Sequence, residues 1–336
     1  MTIRNTFAGL FLTWTSVGLF GQDTLIIPEA IVQSNFSETP EAAPRNLVSL
    51  DAEVIAGVAQ PSLDGLLESV PGVDARQRGP MGVQTDLSIR GGSFEQVALW
   101  VDGIRWSAPH TGHHLLNLPL DPEDIQRIRI VRGGSGALGS GGMTGGVIIN
   151  TEPDNSNGAE ASFEAGSYGW NRSRFRIDWG KTSFRHRFSI SRAATTGYRA
   201  NTDMVMQRFR YAGKTVNDLG TWNIRAGHLS SAFGAQDFYT ANFPQQFEQV
   251  GLWQGQLTWN RSEGPWHWEA GVHYRNHQER FELFREGDEY YAVDTSGTLM
   301  SANGPAPSWY QGANQHRSAT LGARVNTRRS TKWGQT

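Results

Sequence analysis

From residue 155 onward the chain alternates apolar and polar side chains with a period of two, and few folds accept that pattern in so many consecutive segments. Within 266–274, Trp266, Trp268, Ala270, Val272 and Tyr274 oppose His267, Glu269, Gly271 and His273. Within 251–260, Gly251, Trp253, Gly255, Leu257 and Trp259 oppose Gln254, Gln256, Thr258 and Asn260. The same split separates Phe175, Ile177 and Trp179 from Arg174, Arg176 and Asp178, and Phe184, Phe188 and Ile190 from Arg185, Arg187 and Ser189. It returns in Ala319, Leu321, Ala323 and Val325 against Ser318, Thr320, Arg324 and Asn326. With 159–166, 205–214 and 221–230 this makes eight strands, and the alternation gives each one apolar and one polar face.

Alternation alone permits a soluble sandwich with the apolar face inside. The connections favour lipid instead. Links at Lys181, 216–220 and 261–264 are tight, whereas those at 193–204, 231–248 and 278–315 are long, which is the one-sided loop pattern of an outer-membrane barrel. Trp179, Trp222, Trp259 and Trp266 all fall beside the tight turns on the apolar face, where an aromatic girdle meets the lipid boundary. Residues 153–336 are therefore read as antiparallel transmembrane β-barrel strands. A barrel closed from eight strands is filled by its own side chains, so the wall is expected to be incomplete.

The segment before the wall is organised differently. Residues 7–20 form the one continuous apolar run, behind Arg4 and ahead of Gly21-Gln22-Asp23; a helical span needs roughly 20 residues, so 1–22 reads as a cleaved signal peptide. Residues 23–45, rich in Pro, Glu, Ser and Asn, read as a flexible arm whose apolar patch Leu25-Ile26-Ile27 suits strand addition to a partner's sheet edge. The 32 acidic and 30 basic residues nearly cancel, so nothing draws the chain to nucleic acid. Cysteine is absent, which removes thiolate metal sites and disulfides together.

Residues 46–152 read as a compact α+β domain. Its helix is expected over 62–69, capped by Ser62 and stopped at Pro71-Gly72, with strands at 73–78, 87–89, 97–101, 128–131 and 147–150 and a helical turn at 122–125. The run 97–101 breaks at Asp102-Gly103 and resumes at Ile104, the strongest short hairpin signal in the chain. Gly134, Gly136 and Gly139 follow a strand with dinucleotide-binding spacing. That fingerprint also requires a helix, which the Gly-rich segment 140–146 opposes at roughly 1 kcal/mol per interior glycine. No cofactor is expected.

Five ordered motifs carry a family likeness: Leu66-Leu67-Glu68-Ser69-Val70-Pro71-Gly72-Val73, Ser88-Ile89-Arg90-Gly91, Val101-Asp102-Gly103-Ile104, Ile125-Gln126-Arg127-Ile128 with Val131-Arg132-Gly133, and Gly145-Gly146-Val147-Ile148-Ile149-Asn150-Thr151. In order and spacing they resemble the plug domain of TonB-dependent outer-membrane receptors. Asp23, Thr24, Leu25, Ile26 and Ile27 resemble that family's TonB box, most like its cobalamin-receptor branch, and 197–203 and 233–239 resemble loops of Bacteroidetes-type members. The resemblance implies a plugged barrel of about 22 strands, of which about eight are present. It also implies gated nutrient import, with TonB as the periplasmic partner of the arm, outer-membrane lipid around the wall and a small-molecule ligand above the plug. No catalytic pair of nucleophile and base stands out, so no enzyme is expected; a receptor that captures or signals without transport is the competing reading.

Two loops, 78–85 and 106–117, are expected to form the ligand floor, with Met81, Gly82, Gln84, Trp106, His110, His113 and His114 as contacts. His110-x-x-His113-His114 tempts a metal reading, but without a nearby carboxylate it reads as a solvated loop. Asp203 and Asp237 could support calcium in external loops, but two separated carboxylates are weak evidence for its 6 to 8 oxygen ligands, and no metal site is assigned. Arg90, Glu95 and Arg132 are expected to touch the polar wall face that carries Arg174, Arg176, Arg185 and Arg187.

Overall fold

The computed structural model describes residues 47–331 and 334–335, apart from 59–61, 80–81, 108–110, 135–141, 154–155 and 288. The signal peptide, the arm with Asp23–Ile27, Met81 and His110 lie outside the described residues.

The first domain begins with β1 (Leu47–Asp51), α1 (Ala52–Gly57) and α2 (Leu63–Glu68). Ser62 caps α2 by accepting the Gly65 amide, as its short polar side chain ahead of an apolar turn predicts. Then come β2 (Val73–Gln77), β3 (Thr85–Ile89), β4 (Val97–Val101), β5 (Ile104–Trp106), β6 (Arg127–Arg132) and β7 (Gly145–Asn150). Five of them form a sheet in the order β1-β6-β7-β4-β5, in which only β4 and β7 run parallel, while β2 and β3 form a separate antiparallel pair. Leu67, Leu87, Ile89, Leu99, Ile128, Ile130, Val147 and Ile149 are sealed in the core between these layers.

The wall follows as β8 (Gly158–Ala165), β9 (Asn171–Lys181), β10 (Phe184–Thr195), β11 (Met204–Asn217), β12 (Gly220–Gly234), β13 (Phe247–Glu263) and β14 (Trp266–Glu282). After three short strands in one long loop, β15 (Ala292–Val293), β16 (Leu299–Ser301) and β17 (Gly304–Pro305), it resumes as β18 (Asn314–Thr331) and a two-residue β19 (Gly334–Gln335). Neighbours pair antiparallel from β8 to β14 and on to β18 and β19. The tight turns are real two-residue connections, since Lys181 pairs with Phe184, Asn217 with Gly220 and Glu263 with Trp266.

Burial is inverted relative to a soluble sheet. Arg172, Arg174, Asp178, Arg185, Arg187 and Arg210 are buried, facing the first domain, whereas Ile190 and Val272 are each 49% exposed and Leu321 and Val325 each 77%. A sandwich would bury the apolar face and wet the polar one; an outer-membrane wall does the reverse, with lipid taking the apolar side.

Candidate functional site

The hairpin turn between β4 and β5 is where the two domains lock. Val101 pairs with Ile104, so Asp102 and Gly103 alone make the turn, and both have positive φ (50° and 77°), as a type I′ hairpin requires. The Asp102 carboxylate accepts from the Thr151 amide at 2.7 Å and its hydroxyl at 2.8 Å. From the wall, Arg210 donates to it at 3.0 Å and Arg225 Nε lies 2.9 Å away. The turn's backbone is held too: Gln256 donates to the Asp102 carbonyl at 2.9 Å, and Arg324 donates to that of Gly103. Asp102 and Arg210 side chains are each 2% exposed, so two guanidiniums share one carboxylate out of water.

A second seat sits at the short turn Pro122–Asp124, where Asp121 accepts Arg208 Nη1 at 3.0 Å and Glu123 takes Arg172 through both oxygens at 2.8 and 2.9 Å. Asp124 accepts the Ser189 hydroxyl at 3.1 Å. Burial works to raise the Asp121 pKa, but Arg208 and Arg172 outweigh it and hold the carboxyl below its ordinary value. Asp124 moves the other way, pushed up by burial and by the charge of Asp121. The signs follow by linkage. Asp124 contributes stability that is complete below its ordinary value near 3.8 and lost as pH rises through its raised value. Asp121 contributes stability present above its ordinary value near 3.8 and lost as pH falls through its depressed one. We expect this seat to hold or tighten from pH 7 down to about pH 4 and to give way below that. Thermal unfolding followed against pH checks this, with a smaller acid-side loss expected for Asp121→Asn.

The expected floor loops are drawn into the wall. Gln84 is buried and donates to the Tyr239 hydroxyl at 2.8 Å, and that hydroxyl donates to Glu248 at 3.1 Å. Trp106 is buried beneath the Arg275 guanidinium, 4.8 Å from its ring centre. Gly82, at φ 81°, lines a crevice shared by Asn117, Met206 and Arg208.

The histidine segment departs from the solvated loop with no neighbouring carboxylate. His113 Nδ1 lies 2.5 Å from Asp86, which also takes Arg78, and its ring packs on Phe94. His114 is wholly buried, 2.8 Å from Glu248 and 3.6 Å from Glu279. Burial works to lower its pKa, but hydrogen bonding to Glu248 and Glu279 prevails and raises it to about 9. Both carboxylates come from strands far along the chain, so the sequence around the histidines gave no sign of them. Among the described residues, His114, Glu248 and Glu279 are the one group whose nitrogen and oxygen atoms converge closely enough to hold a metal ion.

Of the three side chains expected to touch the wall, Arg132 donates to the Pro71 carbonyl inside its own domain, Glu95 is exposed in the turn Phe94–Gln96, and Arg90 follows β3 at φ 52°. Among the described residues, ion pairs join the domains through Asp102, His114, Asp121, Glu123 and Asp124.

Residues 39–147 match the model of the TonB-dependent Receptor Plug Domain family. The chain is 31% identical over 153 residues to the vitamin B12 transporter BtuB of Vibrio vulnificus, covering 44% of this chain and 25% of that one. It is 35% identical over 106 residues to a hemin receptor of Yersinia enterocolitica, 32% of this chain and 15% of that one. Among solved structures, the FrpB iron transporter from Neisseria meningitidis superposes with a TM-score of 0.63 at 14% identity, covering 85% of this chain and 46% of that one. The copper transporter OprC gives 0.62 at 15% identity, covering 84% and 43%. The matched stretch thus spans a quarter or less of these curated relatives and under half of these solved structures. Residues 39–147 thus match the TonB-dependent Receptor Plug Domain family, and the chain as a whole shares the fold of part of these plugged-barrel structures.

Proposed function

We propose that the protein is an outer-membrane receptor that imports a scarce nutrient past a plug, driven by TonB through the N-terminal arm. The observation that carries this is the seating itself: a folded domain held by buried ion clusters against the polar face of a sheet whose apolar face is exposed. When such a joint opens, water can take up its charged groups, whereas an apolar joint would expose hydrophobic surface, which suits a stopper that must move. The nutrient is a cobalamin-like or iron-chelate compound; the names of the two relatives, a vitamin B12 transporter and a hemin receptor, point to metal macrocycles. Gly82, Gln84, Trp106 and His113 border its floor, and Met81 and His110 belong to the same two loops in the sequence. Asp23, Thr24, Leu25, Ile26 and Ile27 are the segment that TonB captures by strand pairing.

Deleting Asp23–Ile27 is expected to abolish uptake while leaving ligand binding at the cell surface unchanged. Radiolabelled cobalamin and hemin, each followed for binding and for uptake, make the measurement. Undiminished uptake in the deletion overturns coupled import, and bound ligand without uptake in the intact protein favours a capture receptor.

A further inference from the structure

We propose that His114, Glu248 and Glu279 form a divalent-metal site of the zinc class that clamps the plug to the wall. The three side chains come from three separate elements: the plug turn Gly112–His114 and the adjacent wall strands β13 and β14. Their side chains are 0%, 0% and 8% exposed, so the donors meet away from bulk water.

The spacing fits a small cation. Four ligands at about 2.05 Å around a tetrahedral ion lie about 3.3 Å from one another. Here the imidazole Nε2 is 2.8 Å from one carboxylate oxygen and 3.6 Å from the other, and all three donor atoms lie within 4.8 Å of each other. The closer pair is an ion pair sealed from water: His114 Nε2 and Glu248 Oε1 are both buried and lie 2.8 Å apart. A cation that takes the place of the proton between them keeps the three donors partnered where water does not reach.

The far side of the cluster is fixed. Glu248 Oε2 accepts from Tyr239, which Gln84 holds in turn, and Asn117 contacts His114 Nδ1 at 3.0 Å. With its amide turned by 180°, Asn117 offers an oxygen to an Nδ1–H, the tautomer that frees Nε2 for a metal. Charge agrees as well: once the ion displaces the proton that Glu248 and Glu279 hold on His114, two carboxylates and a neutral imidazole carry −2, which a divalent ion cancels. One nitrogen with two carboxylate oxygens suits zinc, manganese or ferrous iron better than calcium, which takes oxygen shells. His316 Nδ1, 3.7 Å from Glu279, borders the same cluster from β18.

The test uses the full protein purified in detergent and stripped with a chelator, titrated with Zn²⁺ by calorimetry. The intact protein is expected to bind one ion per chain. Glu248→Gln, which keeps an acceptor for Tyr239, and His114→Asn are each expected to weaken binding by about 100-fold or more. His267→Ala, at the short-turn rim, should bind as the intact protein does. X-ray absorption at the zinc edge should show one imidazole among oxygen donors. Tryptophan fluorescence identifies any variant that fails to fold, and Glu279→Gln then takes its place. No stoichiometric ion in the intact protein, or undiminished binding in the folded variants, overturns the site.

Discussion

Replacing Asp102 with alanine is expected to loosen the plug from the wall by about 3–5 kcal/mol, the cost of stripping a buried ion cluster of its counter-charge. The substitution removes the carboxylate that Arg210 and Arg225 share and the acceptor for the Thr151 amide and hydroxyl. Two guanidiniums would be left facing each other where Asp102 and Arg210 are 2% exposed. Water cannot reach in to screen them without opening the joint. Asp74→Ala offers the comparison, because its pairing with Arg76 is exposed and worth about 0–1 kcal/mol. Urea-induced release of the plug, read by protease cleavage of its loops in membrane vesicles, gives both numbers. Adding Arg210→Met to Asp102→Ala should restore part of the loss, since it removes the stranded charge. Equal effects at Asp74 and Asp102 would show that the hairpin turn is not the lock.

That turn also marks the boundary between what local pattern reveals and what it hides. Asp102-Gly103 was legible as a hairpin because two consecutive positive φ values demand such residues, and the structure places them there. Its second role was not legible, because Arg210 and Arg225 reach it only once the wall has wrapped the plug. The wall arginines stood out as polar members of alternating strands, yet their partners are set by tertiary distance. Arg174 meets Glu160 across the neighbouring strand and lies near Glu123 and Asp124 of the plug. His114 is the sharpest case: its turn is polar and glycine-bearing in sequence, but β13 and β14 rise past it and supply two carboxylates. The strands themselves run further than their alternation. In β14 the apolar face stops at Tyr274 while pairing continues to Glu282, because an outward face beyond the hydrocarbon no longer has to be apolar.

Placing arginine at Val272 is expected to cost the wall about 2–4 kcal/mol of stability in a bilayer. Val272 lies on the exposed face, 49% accessible, with Leu257 and Ala323 beside it on the neighbouring strands. Depth sets the size of the effect. Trp266, at the start of β14, marks the short-turn rim together with Trp222 and Trp259, whose rings are 6.1 Å apart. Val272 comes six residues later on the same strand, about 20 Å along it, and a tilt near 40° leaves about 15 Å of height. An apolar band about 25 Å tall puts that height close to the middle, where a guanidinium finds neither water nor a counter-ion. Phe184→Arg tests the depth argument: Phe184 is 51% exposed on the same outward face and adjoins the turn after Lys181, so arginine there reaches the interface at about 0–1 kcal/mol. Urea unfolding in lipid vesicles measures both. A cost at Val272 no greater than at Phe184 would mean that the exposed apolar face does not meet lipid, and the wall would need another partner to cover it.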